Sequence, residues 1–240
     1  MNTRTAVSLA ALAAALALIT YLRPADTGTT PTAVQSTTVQ PTPTTTHGTP
    51  TTLAPSSTAA LAALPSIPIK GRAPKTGYER SLFGPTWKDV DRNGCDTRND
   101  TLRRDLSPVS IKPGTHGCLV LSGTLTDPYT GETVEFVRGG PSEVDIDHLV
   151  PLSDAWQKGA QGWDQEKRER LANDPANLVA SAAGANRAKG DGDLATWLPP
   201  NRAHWCTYAA EIVKVKASYG LWMTPAEHQR AEQILTNCTR

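Results

Sequence analysis

Apolar positions come in runs of different kinds along this chain, and each kind predicts a different element. The stretch from Ala6 to Leu22 carries no charge and follows Arg4. A run of about 17 such residues behind a basic one has the form of a secretory signal, at the short limit for crossing a bilayer. Residues 1–24 are therefore expected to be a signal peptide or a signal anchor, with no cysteine after the run to make a lipoprotein. Farther on, two short apolar runs read as strands: one ends in DIDHLVPLSD, where Pro151 stops it, and the other lies in NLVAS. The second leads into small residues that predict a helix from about Ala182, stopped at Gly190. Near-helical spacing returns at Ala203, Tyr208, Ile212, Val215 and Tyr219, and Thr224-Pro225-Ala226-Glu227 has the form of a helix start. The order strand, long loop, strand, helix, followed by two packing helices, predicts an α+β domain.

Composition separates this domain from what precedes it. From about Ala25 to Ser66, Thr, Pro, Ser and Ala dominate, with almost no charge and no large aromatics. Such a segment cannot bury enough apolar surface to offset its ordering entropy, so residues 25–66 are expected to be a disordered linker. Residues 67–240 hold all six tryptophans and all four cysteines. In an exported domain, cysteines without Cys-x-x-Cys spacing point to disulfides rather than to zinc. Of the possible pairings, Cys95 with Cys118 and Cys206 with Cys238 are favoured because each closes a local loop, worth roughly 3 kcal/mol in loop entropy. All but two of the 24 Lys and Arg, and all but one of the 23 Asp and Glu, fall in the same span, which is thus near neutral. The basic excess that marks many nucleic-acid binders is missing. Phosphate recognition would have to come from placed cations such as Arg98, Arg103, Arg104, Arg187 and Lys189, and from a bound cation.

The residues that bear on chemistry sit on the strand, strand, helix unit. Asp147 and His148 close its first strand, Asn177 opens the second, and Asn186 and Lys189 lie at i and i+3 on one face of the helix. Hydrolysis of a phosphodiester requires a deprotonated nucleophile, neutralisation of the transition state's charge and stabilisation of the leaving oxygen. A neutral imidazole suits the first task. A carboxylate and an amide oxygen select a hard cation, Mg²⁺ first and Mn²⁺ or another divalent ion next, which suits the other two. A regular strand aims Asp147 and His148 to opposite faces, so both reach one site only where the strand ends or bulges. Asp145 shares the face of Asp147 and is a candidate substitute ligand.

DHLVPLSD, NLVAS and NRAKGD together resemble the HNH endonucleases with a ββα-metal (His-Me finger) core, in the variant that reads Asp-His, Asn, Asn. The wider stretch from about Tyr78 to Leu235, with GCDTRNDTL and WLPPNRAHWCTYAAEIVKVKASYGL, is similar to secreted bacterial HNH nucleases and to the C-terminal domain of GmrSD-type restriction enzymes. The resemblance implies a ββα-metal nuclease core with additional helices over residues 67–240. It implies nucleic acid as partner, DNA ahead of RNA, and no obligate protein partner. It assigns His148 as general base, Asp147 and Asn186 as ligands of a divalent cation, and Asn177 as the residue that holds the histidine across the loop. It also gives Lys189 a non-bridging phosphate oxygen and Arg187 the backbone at the flank. The loop between His148 and Asn177 departs from compact members in its length and carries Trp156, Trp163 and QEKRER. Those two tryptophans are the candidates for base stacking; the others read as core. Arg98, beside Cys95, serves equally as a phosphate clamp or as half of a structural ion pair. The rival readings are a catalytically silent nucleic-acid- or metal-binding cell-surface module, and a stalked domain that binds Ca²⁺ for stability. The chain would be secreted, or held at the cell surface by an uncleaved N-terminal segment.

Overall fold

The computed structural model describes residues 56–141 and 143–239. The expected signal, and the linker up to residue 55, lie outside them. Helix α1 (Ser57–Ala63) forms where the linker was expected to continue to Ser66. Ser56 caps it by accepting the Ala59 N–H at 3.1 Å. Ala60, Leu64 and Ile67 are buried in the main core, so the Thr/Pro composition ends before the folded unit begins and the expected boundary at residue 67 is too late.

Helix α2 (Thr97–Asp105), capped by Asp96, runs directly into a three-stranded antiparallel meander of β1 (Leu106–Ile111), β2 (Val120–Thr126) and β3 (Thr133–Val137). Its inner face, Leu106, Val120, Leu125 and Phe136, packs on Leu102 of α2 and on Val144, Ile146, Leu178 and Ala180 of a second sheet. That sheet pairs β4 (Val144–His148) antiparallel with β5 (Leu178–Ala182) in an unbroken register, Asp145 opposite Ser181 and His148 opposite Leu178. The stretch between them, expected as a loop, contains α3 (Leu152–Gln157) and α4 (Gln165–Asn173). Their buried faces, Leu152, Ala155 and Trp156 on one and Leu171 and Ala172 on the other, join the main core. After β5 the chain reverses into α5 (Ala183–Lys189), which stops at Gly190 with φ of 52°, as the sequence predicts.

The two tail helices are present as α6 (Trp205–Tyr219) and α7 (Pro225–Cys238), the second capped by Thr224 with Pro225 in its first position. The disulfides are Cys95–Cys118 and Cys206–Cys238, the favoured pairing. Beneath α6 and α7 lies a buried ionic cluster. Lys158 Nζ stands 2.7 Å from Asp154, 2.6 Å from Asp193 and 2.7 Å from Glu227. Lys216 contacts Asp154 and Glu227, and Arg72 contacts Asp154 and Asp193. Burial pushes the Asp193 carboxyl up, but its bond and charge contact with Lys158 outweigh this and hold it down at about 2. Because Asp193 follows α5 closely in the chain, the cluster fixes the far end of the ββα unit against the helical core. The whole is a mixed α+β architecture of small sheets and helices.

Candidate active site

The site is built where α5 runs back along β4. Three residues of helix rise about 4.5 Å and two of strand about 6.6 Å. Asn186 and Lys189 on α5 therefore fall beside Asp145 and Asp147 on β4. Asn186 Nδ2 donates to Asp145 Oδ2 at 3.2 Å, and Lys189 Nζ lies 2.7 Å from Asp147 Oδ2. The same ammonium donates to the His148 carbonyl at 2.6 Å, and Tyr129 Oη donates to Asp147 Oδ2 at 2.6 Å. Burial lowers the Lys189 ammonium, opposed by Asp147. Burial followed by the Asp147 charge raises the Tyr129 phenol well above its ordinary value, so it stays a donor.

His148 is the last residue of β4 and, with no bulge, points to the opposite face from Asp147. Its Nε2 lies 2.9 Å from the Ala172 carbonyl. A carbonyl oxygen only accepts, so Nε2 carries the proton and Nδ1 keeps the lone pair. Burial, with lesser help from Arg80 and Lys189, pushes the imidazole down to about 4 against the bond to Ala172, so it is neutral at pH 7. The ring lies under Trp87, centroids 6.5 Å apart and planes within 12°. Both line a small pocket of about 20 Å³, enough for one water. Asn177 accepts the Val150 N–H at 2.8 Å and donates to the carbonyls of Val150 and Leu171. It does not touch the imidazole. It clamps the chain two residues beyond His148 to the residue before Ala172, which fixes both ends of the histidine's hydrogen bond.

Residues 96–233 match the GmrSD restriction endonucleases, C-terminal domain, a span from the cap of α2 into α7. The chain belongs to this family. An uncharacterized secreted protein of Arthroderma benhamiae is 38% identical over 186 residues, covering 77% of this chain and 87% of that protein. No solved structure matches. The GmrSD-type domain is nuclease-related, with nucleic acid as its implied substrate class.

In this GmrSD-type domain the oxygen donors expected to hold a metal are distributed differently from expectation. Asn186 bonds Asp145 rather than Asp147, because i,i+3 on α5 and i,i+2 on β4 keep separate partners. Asp145, Asp147 and Asn186 nonetheless share the face of β4 that α5 covers, and as hard oxygen donors they fit a divalent cation such as Mg²⁺. The Lys189 ammonium stands against Asp147, where it neutralises a charge that a cation would otherwise meet. Among the described residues, no cluster of three or more His, Cys, Asp or Glu side chains is gathered to hold a metal. A second oxygen-rich stretch escaped the sequence reading although its spacing was legible. Asp89, Asp91, Asn93, Gly94 and Asp100 occupy the first, third, fifth, sixth and twelfth places of an EF-hand loop pattern, with Asp for the final Glu. Its carboxylates are turned to the Asn93 and Gly94 N–H groups and to the Asn93 amide, which bridges Asp91 and Asp100.

The remaining expectations divide cleanly. Lys189, expected to reach out to phosphate, is 3% exposed and turned inward onto Asp147. Arg187 is exposed on α5. Arg98 has no carboxylate partner within ion-pair distance among the described residues, and its guanidinium lies 5.9 Å from the Trp87 ring. Arg103 and Arg104 pair with Asp100 and Asp105 and bind backbone carbonyls, so they hold structure. Trp156, a stacking candidate in the sequence, packs in the main core edge-on to Tyr78, and Trp163 stacks on Tyr219. Sequence reasoning missed Tyr129, which reads only as part of the turn DPYTG, and Trp87. Tyr129 is fully buried and held by Asp127, whose Oδ1 accepts the N–H groups of Tyr129 and Ala182. Among the described residues no helix is long and apolar enough to cross a membrane.

Proposed function

We propose that this GmrSD-type domain is an exported, divalent-metal-dependent endonuclease of the ββα-metal class that hydrolyses phosphodiester bonds, of DNA ahead of RNA, with low sequence selectivity. The observation that carries the reading is the His148 tautomer: a buried, neutral imidazole whose proton is tied to the Ala172 carbonyl, which leaves Nδ1 as a base. A water beside that nitrogen would lose its proton to it as it attacks phosphorus. Asn177 and the Ala172 carbonyl hold the ring, and Lys189 holds the β4 backbone at His148. Asp147 and Asn186, with Asp145 beside them, would hold the cation, which when bound supplies Lewis-acid stabilisation of the phosphoryl charge and the leaving oxygen. Lys189 and Tyr129 orient the Asp147 carboxylate. Exposed Arg187 and the Arg98 guanidinium would take neighbouring phosphates. Export rests on the Ala6–Leu22 run and on the name of the fungal relative, and leaves secretion and an uncleaved surface anchor as its two forms. No protein partner is required by the chemistry.

The test is a plasmid-cleavage assay on the purified protein with Mg²⁺, Mn²⁺, Ca²⁺ or EDTA, repeated with His148→Ala. Cleavage in a divalent cation, abolished by EDTA and reduced about 10²-fold or more by the substitution, is expected. Undiminished cleavage by His148→Ala would remove the histidine from the mechanism. Inactivity of the wild type toward both DNA and RNA in every cation would overturn the nuclease reading.

A further inference from the structure

A second cationic cleft lies at the start of α6, with its own lining: Arg202, Trp205, Arg230, Gln233 and Asn237 around about 330 Å³ of space. Its two arginines come from different elements, one from the turn before α6 and one from α7, yet each guanidinium lies 5.5 Å from the Trp205 ring. The platform is rigid. Trp205 Nε1 donates to the Pro199 carbonyl at 2.7 Å, and the Cys206–Cys238 disulfide ties the first turn of α6 to the end of α7. Neither arginine has a carboxylate within ion-pair distance among the described residues, whereas Arg72, Arg103, Arg104 and Arg170 all do. No acidic residue lines the cleft. Two like charges converging on one indole repel unless an anion lies between them. The volume exceeds what a single phosphate ion fills and matches a nucleotide-sized ligand.

The cleft is also coupled to the site already described. Trp205 and Tyr208 are one turn apart on α6; Tyr208 packs edge-on against Tyr129 with centroids 5.7 Å apart, and the Tyr129 hydroxyl bonds Asp147. We propose that the Arg202, Trp205, Arg230 cleft is a second nucleic-acid site that grips the phosphodiester backbone of the substrate strand beyond the scissile phosphate. It rests on the nuclease reading of the His148 site and adds what a near-neutral domain lacks, a placed pair of free guanidinium groups for a polyanion.

The experiment uses the full chain in a His148→Ala background and follows anisotropy of labelled single-stranded and duplex oligonucleotides across a salt series. Arg202→Ala with Arg230→Ala should weaken binding at least about tenfold and lower the salt slope by about two units on duplex, one per phosphate released. In protein labelled with ¹⁵N-tryptophan, the Trp205 indole signal, identified by its loss in Trp205→Phe, should shift on adding oligonucleotide. With His148 restored, the arginine variant should raise KM for polynucleotide and leave hydrolysis of bis(p-nitrophenyl) phosphate, too small to span both sites, unchanged. Unchanged affinity and slope with a static indole signal would overturn the cleft while the nuclease reading stands. Oligonucleotide binding lost on removing the arginines, in a protein that cleaves nothing, would uphold the cleft and sink the nuclease reading.

Discussion

Two buried charge clusters in this domain use the same residue types to opposite ends. Under α6 and α7, three cations meet three carboxylates, and every carboxylate touches at least two of the cations. Beside α5 the arrangement is open. Lys189 and Tyr129 both serve one oxygen of Asp147, Asn186 has a single bond to Asp145, and His148 uses one nitrogen of its two. A charge-balanced cluster locks helices together and has no valence left for a ligand. The open cluster keeps unused donors and acceptors in a fixed frame, which is what binding or catalysis needs.

The largest expected effect tests the closed cluster. Lys158→Met leaves three buried carboxylates short of a cation and should cost about 3–5 kcal/mol in urea unfolding, with cleavage per folded molecule unchanged. Lys189→Met should show the reverse balance, a smaller loss of stability and a larger loss of cleavage. If the Lys189 variant instead unfolds as readily as the Lys158 variant and cleaves normally, the pair with Asp147 is a second structural lock and the contrast between the clusters is void. Replacing Cys206 and Cys238 with serine should cost about 3 kcal/mol, loosening the helices over the closed cluster. Hydrogen-exchange protection of β4 and β5 should change less than that of α7. Tyr129→Phe removes one donor from Asp147 and should cost about 1.5–3 kcal/mol, the range for a bond to a charged group, while also lowering cleavage. Normal activity in that variant would show that Lys189 alone orients the carboxylate.

The smallest effect comes from a carboxyl that belongs to neither cluster. Burial raises Glu211 to about 7; Arg104 lowers it and Asp105 raises it. A raised folded value means that Glu211 contributes stability in full below its unfolded value near 4.5 and loses it as pH rises through 7. Glu211→Gln should therefore be neutral at pH 4 and stabilising by about 1 kcal/mol at pH 8. A gain of equal size at both pH values would mean that the effect is packing and not titration.

How much of this was legible without coordinates follows from the range of each interaction. The two strands, the helix ended by Gly190, the tail helices and the disulfide pairing depend on residues near one another in the chain, and all were readable as local spacing. So was the set Asp147, His148, Asn177 and Asn186, together with the family that it resembles. What needed tertiary structure was the partner of each group. Lys189 is turned inward by the close approach of α5 to β4, and Tyr129 reaches Asp147 from a turn in a different sheet. The closed cluster draws Arg72, Lys158, Asp193 and Glu227 from distant parts of the chain, with no periodicity to announce it. Short-range order is written in spacing because backbone geometry repeats along the chain. Burial and charge pairing are decided by which surfaces meet, and only the folded chain brings those surfaces together.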